Sequence, residues 1–337
     1  MPQNSKRATI REVATATGLS PAAVSYALRG IQTSEETQER VRRAAAELGY
    51  KVDPIARALA SGRTGTVGLL CGSLEDLWQQ LLGVGIGRAL LARDHYALLV
   101  DSAGQPEQEL ILACQLRDSR VDALIVQPLN PSDEGWSELA QTVPVVSIGD
   151  ALHGGRAAGE VVFDNRSGVT LALEHLHSLG HRRIGVLTPT HASTPDRPAD
   201  IHVTAEAERL GLEVSIIISP PVLRAATDAA LEVLSKADRP SALFCMADSI
   251  AYGAYAAARE LGLHIPDDVS ISGYDDHPMS SLLTPALTTV DWNIQGIIRA
   301  AVRVTLAAIE DKPHRRRIVQ PPQLRERGST GPPGGSP

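Results

Sequence analysis

The 337-residue chain predicts an all-α helix-turn-helix head joined to an α/β core of two doubly wound parallel-sheet subdomains. Three observations carry that prediction. Residues 9–50 show helical spacing broken by tight glycine turns. From about residue 64, apolar runs of strand length alternate with amphipathic stretches. The charge is split along the chain. Residues 1–63 hold ten basic and six acidic side chains, whereas the remainder holds 22 and 33. The total of −7 therefore hides a basic head on an acidic core. Such asymmetry indicates that one part of the chain meets a polyanion.

In the head, Ile10, Val13, Ala14 and Thr17 share one helical face. Gly18 supplies the turn that ends this helix. Ser20 is a favourable N-cap and Pro21 suits the first helical position. Val24, Ala27 and Leu28 make the apolar face of the second helix, and Gly30 ends it. Ser34 caps a third helix, in which Val41, Ala45 and Leu48 recur at helical spacing before Gly49. The head is assigned to residues 1–50. Residues 51–63, KVDPIARALASGR, form a linker with one short helix that is too short to be stable alone.

Candidate strands in the core are 66–70, 96–100, 123–126, 143–148, 183–187, 214–218, 242–245 and 269–273, and candidate helices lie near 75–92, 106–118, 167–179, 224–236 and 248–261. Near-continuous apolar strands separated by helices mean parallel sheets covered on both faces. There are too many such units for one small sheet, so two subdomains are expected. The tail 328–337, GSTGPPGGSP, has the composition of a disordered segment.

At 43% hydrophobic and 21% charged residues, the chain can bury a large core. No apolar run approaches the roughly 20 residues of a membrane span, and the N-terminus lacks the apolar stretch of a secretory signal. A cytoplasmic protein is expected. Cys71, Cys114 and Cys245 are far apart and show no metal or redox spacing. His175, His177 and His181 cluster, but positions two apart lie on different helix faces, so no metal site is assigned. Gly83, Gly85 and Gly87 fall inside a helix rather than after a strand, so close packing outranks a dinucleotide fingerprint. No catalytic motif appears, and neither an enzyme nor a cofactor is expected.

The segments 8–30, 34–50 and 56–70 resemble the DNA-binding and hinge region of LacI/GalR-type bacterial regulators. EHLHSLGHRRIGVLTP (174–189), residues 246–276 and LTTVDW (287–292) resemble that family's effector-binding core, in the same order. The likeness runs from about residue 8 to 327. It implies a homodimer with a periplasmic-binding-protein-like core at 64–327. Subdomain one would take about 64–162 plus 291–320, and subdomain two about 163–290.

A helix-turn-helix places its second helix in the major groove. By resemblance, Pro21, Ala22 and Tyr26 face the bases, and Arg29 adds a base or phosphate contact. Pro21 and Ala22 can offer only apolar contact, so direct readout by this helix is thin. Thr9, Ser20, Ser25, Ser34 and Thr37 are candidate phosphate donors, with capping as the alternative role of the serines. Arg40, Arg42 and Arg43 read as a solvated helix face. The family inserts a hinge leucine into the minor groove, which points to Leu59 as an apolar wedge and to Ala56 as the small residue permitting close approach.

For the core, the resemblance points to Asp150, Arg197 and Asp275 as ligand contacts and to Trp78 and Trp292 as pocket walls. The chain departs from the family pattern at 197–201, where a Gly-aromatic pair is usual, and at Ala247, where asparagine is common. Asp164 reads as a helix cap. The expected function is a DNA-binding transcription regulator that acts as a repressor. It would bind double-stranded operator DNA under control of a small, carbohydrate-like effector. A core that answers to a protein partner, or a solute-binding protein of a transporter, are the alternatives.

Overall fold

The structure is a computed structural model; it describes residues 8–28, 30–50, 62–189, 198–312, 314 and 316–334. The chain divides into two compact units, Met1–Thr64 and Gly65–Pro337.

Among its described residues the first unit has three helices: α1 (Ile10–Thr17), α2 (Pro21–Leu28) and α3 (Glu35–Glu47). Val13, Ala14, Val24, Ala27, Val41 and Ala45 form its buried centre, with Leu19, Leu28 and Tyr50 packed around them. Each apolar residue comes from the face that helical spacing selects. Gly18 ends α1 at φ +67°, a left-handed position that costs glycine nothing.

The second unit has two six-stranded sheets. Sheet one contains β1 (Thr66–Cys71), β2 (Tyr96–Asp101), β3 (Ala123–Val126), β4 (Val145–Gly149), β5 (Gly159–Phe163) and β11 (Arg317–Gln320). Their order is β11-β5-β4-β3-β1-β2, all parallel. Sheet two contains β6 (Arg183–Thr188), β7 (Glu213–Ile218), β8 (Ala242–Cys245), β9 (Ser270–Gly273), β10 (Thr288–Asp291) and β12 (Gln323–Arg325). Its order is β12-β10-β9-β8-β6-β7, with only β12 antiparallel. The helices are α4 (Leu77–Leu91), α5 (Pro106–Asp118), α6 (Gly135–Leu139), α7 (Asn165–Ser178), α8 (Pro198–Leu210), α9 (Leu223–Leu234), α10 (Asp248–Glu260) and α11 (Ile294–Ile309). In both sheets the chain steps outward and then returns past the first strand, which puts a strand-order switch near the middle of each sheet.

Burial follows chemistry. The central strands β3 and β8 are wholly buried, as their unbroken apolar runs require. The edge strands β2 and β7 are largely exposed and still carry Leu98, Leu99, Ile216 and Ile218 outward. Where α4 meets α11, a Cβ added to Gly85 would lie 2.3 Å from Ile298 Cδ1, so the helix glycines serve close packing.

Two expectations need correction. The sequence reading passes over β5, β10, β11 and β12 and over α6, α8 and α11. The tail is not disordered through its described part. Ser329 is fully buried, its hydroxyl donates to Ile271 O at 2.6 Å, and it accepts from Thr288 N at 2.8 Å. Ile271 N donates to Ser329 O at 2.9 Å. Gly331 N donates to Ser270 Oγ at 3.0 Å. Small Ser, Thr and Gly residues let this strap lie against the amino end of sheet two, and their hydroxyls satisfy backbone groups there. The linker residues 51–61 lie outside the described residues.

Candidate DNA-binding face and ligand cleft

In the head, the residues opposite the buried centre make a coherent outer face. Along α2, Pro21, Ala22 and Tyr26 are exposed and Ser25 is half-buried, while Val24 and Ala27 point inward. These four positions share one side of the helix. Tyr26 is 37% exposed, with its ring outside the packed centre. The outer side of α2 therefore offers hydroxyls and apolar surface, and no charged group among its described residues.

The polar residues flanking this face hold the helix starts. Ser20 Oγ accepts from Ala23 N at 3.1 Å, and Ser34 Oγ accepts from Thr37 N at 3.3 Å. The Glu12 carboxylate accepts from Thr9 N at 2.6 Å and from Thr9 Oγ1 at 2.9 Å. Helix starts and exposed hydroxyls suit phosphate oxygens. Arg40, Arg42 and Arg43 are exposed on α3, and Arg42 donates to Gln38 Oε1 at 3.0 Å. Arg29, Ala56 and Leu59 lie outside the described residues.

In the core, the carboxyl ends of the parallel strands converge on one cleft with a cavity of about 300 Å³. Ser73 follows β1, Gly104 follows β2, Gln127 follows β3, Asp150 follows β4, Thr188 ends β6 and Ala247 follows β8. Ligand sites at strand carboxyl ends are what parallel α/β sheets provide. Of the sequence-predicted residues, Trp78, Asp150, Asp275 and Trp292 all line this cavity. Arg197 falls in the segment 190–197, outside the described residues.

Sequence reasoning missed much of the wall. Phe163 stacks on Trp292 with ring centroids 4.9 Å apart and planes at 22°. Trp78 meets Phe163 edge-on at 5.6 Å, and Tyr274 meets Trp292 at 5.3 Å. Phe163 ends β5 and Trp292 follows β10, where the chain begins two of its three crossings between the sheets. Their scarcity was the available signal, since the chain has only two phenylalanines and three tryptophans. Trp78 Nε1 is buried with no hydrogen-bond partner among the described residues. Tyr274 Oη lies 3.4 Å from Asn165 Oδ1.

The acidic groups are held by local bonds. Asp76 caps α4, accepting from Trp78 N at 3.1 Å, and its carboxylate also lies 3.5 Å from Ser249 Oγ across the cleft. Asp275 accepts from Asp248 N, at the start of α10, at 3.0 Å. Asp248 itself is wholly buried and does not line the cavity. Its carboxylate accepts from Tyr274 N, His277 N, Ser280 Oγ and Thr289 Oγ1 at 2.9, 2.8, 2.5 and 2.6 Å. Burial pushes its pKa up, against these four bonds, which pull it down. Asp164 caps α7 through Ser167 N at 3.1 Å.

The other candidates have structural partners. His181 is buried, with Nδ1 2.8 Å from Ser241 Oγ and Nε2 2.9 Å from Gly331 O; His175 Nε2 lies 2.8 Å from Thr330 Oγ1. Both therefore hold the C-terminal strap. Burial of the Cys71 thiol, with Asp101 nearby, pushes its pKa up to about 12, so it stays an unreactive thiol. No described helix is long and apolar enough to cross a membrane.

Comparison with known proteins agrees with this geometry. Residues 9–53 match the family model described as bacterial regulatory proteins, lacI family, and residues 173–330 match the periplasmic binding protein-like domain. The transcriptional regulator GalS of Salmonella typhimurium is 30% identical over 302 residues, covering 88% of this chain and 89% of that protein. The transcriptional repressor PurR of Vibrio atlanticus is 27% identical over 329 residues, covering 96% and 98%. Among solved structures, the regulator CelR in complex with cellobiose is 25% identical with a TM-score of 0.67, covering 96% of this chain and all of that one. The Lac repressor dimer bound to operator and the anti-inducer ONPF shares the fold at 23% identity, with a TM-score of 0.83, over 97% of this chain and all of that one. An N-terminal helix-turn-helix, two wound sheets around a cleft and full-length relatives of one kind lead to one conclusion: the chain belongs to the lacI family, whose members are DNA-binding transcriptional regulators and not enzymes.

Proposed function

We propose that this regulator is a cytoplasmic homodimeric repressor whose two heads hold an operator, and whose cleft takes the small carbohydrate-like effector that sets operator affinity. The observation that carries the reading is the cleft itself: about 300 Å³ at the strand ends of both sheets, walled by Trp78, Phe163, Tyr274 and Trp292. A concave site with stacked rings and a few placed polar groups suits a small polar molecule. Asp150, Asp275 and Arg197 are its polar contacts and Trp78 and Trp292 its walls. The names of relatives support this, since one solved relative holds cellobiose and another is bound to operator.

In this reading residues 1–50 are the head, 51–63 the hinge and the chain from 64 the effector-binding and dimerising core. Pro21, Ala22 and Tyr26 face base edges, with Arg29 beside them. Thr9, Ser20, Ser25, Ser34 and Thr37 hold phosphates, and Leu59, with Ala56, enters the minor groove. Dimerisation is supported by apolar surface along both edge strands: Tyr96, Leu98 and Leu99 on sheet one, Ile216 and Ile218 on sheet two. Apolar patches of this kind mark association surfaces.

A mobility-shift titration of the full chain on the DNA flanking its own gene tests the reading. A specific complex that weakens steeply as salt rises is expected. Binding with no preference for that DNA over an unrelated fragment would contradict it. Leu59→Ala should weaken the specific complex by about tenfold or more while leaving the dimer intact on sizing columns.

A further inference from the structure

We propose that the core adds a DNA contact of its own to that of the heads: the amino end of sheet one, through Arg156, Arg316 and Arg317, holds the phosphate backbone of the duplex beside the operator. The inference rests on reading the heads as DNA-binding, and it names a further surface of the chain that meets the same DNA.

By sequence, the two ends of sheet one differ in charge. The connections that leave the carboxyl ends of its strands carry six acids, Glu75, Asp76, Asp133, Glu134, Asp150 and Asp164, and no lysine or arginine. Those that enter the amino ends are residues 62–65, 92–95, 119–122, 140–144, 156–158 and 310–316. They hold seven lysines and arginines against four acids. The chain after residue 63 has 33 acidic and 22 basic side chains, so this end is a basic island on an acidic core. Its densest part is KPHRRR at 312–317, with four cations and no acid.

Three arginines there are placed for phosphate. Arg156 and Arg316 are exposed, and neither guanidinium has a hydrogen bond or ion pair to a described residue. The Arg317 side chain is 63% exposed and reaches Glu160 only at 4.0 Å. Lys312 pairs with Glu310, and Arg315 lies outside the described residues. The backbone around them is fixed. His314 Nε2 lies 2.8 Å from Ala158 O, and Glu160 N donates to Arg316 O at 2.6 Å. Arg317 stands opposite Glu160 in the parallel register of β11 and β5. Arg156, Arg316 and Arg317 thus flank one short stretch of paired chain. A guanidinium fork matches phosphate oxygens, and a fixed backbone leaves only side chains to order on binding.

Duplex DNA is the polyanion that the chain itself brings to this end. β1 begins at Thr66, directly after the linker that ends at residue 63, so the chain enters sheet one at the amino ends of its strands. The 13 residues of the linker, 51–63, span at most about 45 Å. DNA held by the heads is therefore tethered to this end, and weak phosphate contacts gain from the high local concentration. The acidic connections at the opposite end repel the same polyanion from the cleft. Contacts of this kind carry no sequence information, because the phosphates are alike along any duplex. They add affinity and lengthen the stretch of DNA that the protein covers.

The test uses the full chain and two duplexes that share the site footprinted in the DNA flanking its own gene. The short duplex holds the two half-sites alone, and the long one adds about 20 base pairs of unrelated sequence on each side. Anisotropy titration should show the wild type binding the long duplex about tenfold more tightly near 50 mM salt and no more tightly near 200 mM, since two phosphate contacts lose about tenfold over that range. Arg156→Ala with Arg316→Ala and Arg317→Ala should bind the short duplex as the wild type does. It should lose the advantage on the long duplex, where its salt slope should fall by about two. All three side chains are exposed, so the variant should melt at the wild-type temperature. Equal wild-type affinity for both duplexes near 50 mM salt, or a variant that keeps the length advantage, overturns the core contact and leaves the DNA-binding heads in place. If the flanking DNA holds no preferred site, the repressor reading fails separately. The salt slopes of wild type and variant on an unrelated duplex then decide the core contact: a difference of about two supports it, and equal slopes overturn it.

Discussion

Asp248 donates its backbone N–H to Asp275 at 3.0 Å, while its own buried carboxylate gathers four donors from residues 274–289. One side chain thus fixes the loop that presents Asp275 to the cleft, and the loop runs on to the exposed Met279 and Leu282. Removing that carboxylate strands four buried donors. Asp248→Ala should cost about 3 kcal/mol or more of unfolding free energy, because unpaired buried donors carry a full desolvation penalty. Asp248→Asn retains shape and one acceptor oxygen, and should cost less than Asp248→Ala. Urea unfolding of the two variants checks the order.

Gly168 on α7 lies beneath the aromatic wall. A Cβ there would sit 2.5 Å from Tyr274 Oη and 2.9 Å from Trp292 Cζ2. Gly168→Ala must push both rings, which have close-packed neighbours in Phe163 and Phe244. A destabilisation of about 1–3 kcal/mol is expected from overpacking, together with weaker ligand binding, although residue 168 lines no part of the cavity. Calorimetric titration of the variant reads both effects.

The C-terminal strap gives the core a pH dependence. Burial lowers the pKa of His175 and of His181, and also of His202 and His277. A histidine with a depressed folded pKa binds its proton more readily in the unfolded chain. Its effect on stability is therefore nil well above pH 6.5, and stability falls as pH drops below that ordinary value toward the folded pKa. The protein should unfold at lower urea at pH 5.5 than at pH 7.5. Deleting residues 328–337 should lower stability at pH 7.5 by about 2–4 kcal/mol, since several buried hydrogen bonds are lost. Full stability after truncation would contradict the packed tail.

On the head, Tyr26 has the only large ring on the outer face of α2 among the described residues. Tyr26→Ala should leave the head folded, because its centre is Val13, Val24, Ala27, Val41 and Ala45. Specific operator affinity should fall by about 1–3 kcal/mol, while binding to unrelated DNA changes little. Anisotropy titrations on both DNAs measure the difference.

These predictions mix what could be read from the chain with what could not. The unbroken apolar runs at 123–126 and 242–245 place β3 and β8 to the residue, and Pro106 places the start of α5. β12 has three residues and pairs only along an edge, so no local pattern announces it. α11 did carry a usable signal, exposed Arg299 and Arg303 opposite buried Ile297 and Ala301. Trp78, Asp150, Asp275 and Trp292 could be placed at the cleft by family likeness. The neighbours that shape it could not. Phe163 and Tyr274 reach the site through long-range packing, and Asp248 works through donors 26 to 41 residues away. The tail misled because composition reports flexibility but not the backbone groups its hydroxyls can satisfy.

The central claim is that cleft occupancy sets operator affinity. Its most direct test is an anisotropy titration of labelled operator with the full chain, with and without a saturating sugar found by thermal shift, repeated on Asp275→Ala. The account predicts a change in operator affinity of about tenfold, 1.4 kcal/mol of coupling, with the wild-type chain. It predicts no ligand-dependent change with the variant, whose ligand-free operator affinity stays near wild type. Equal operator affinity in the ligand-free and saturated wild-type protein would contradict it.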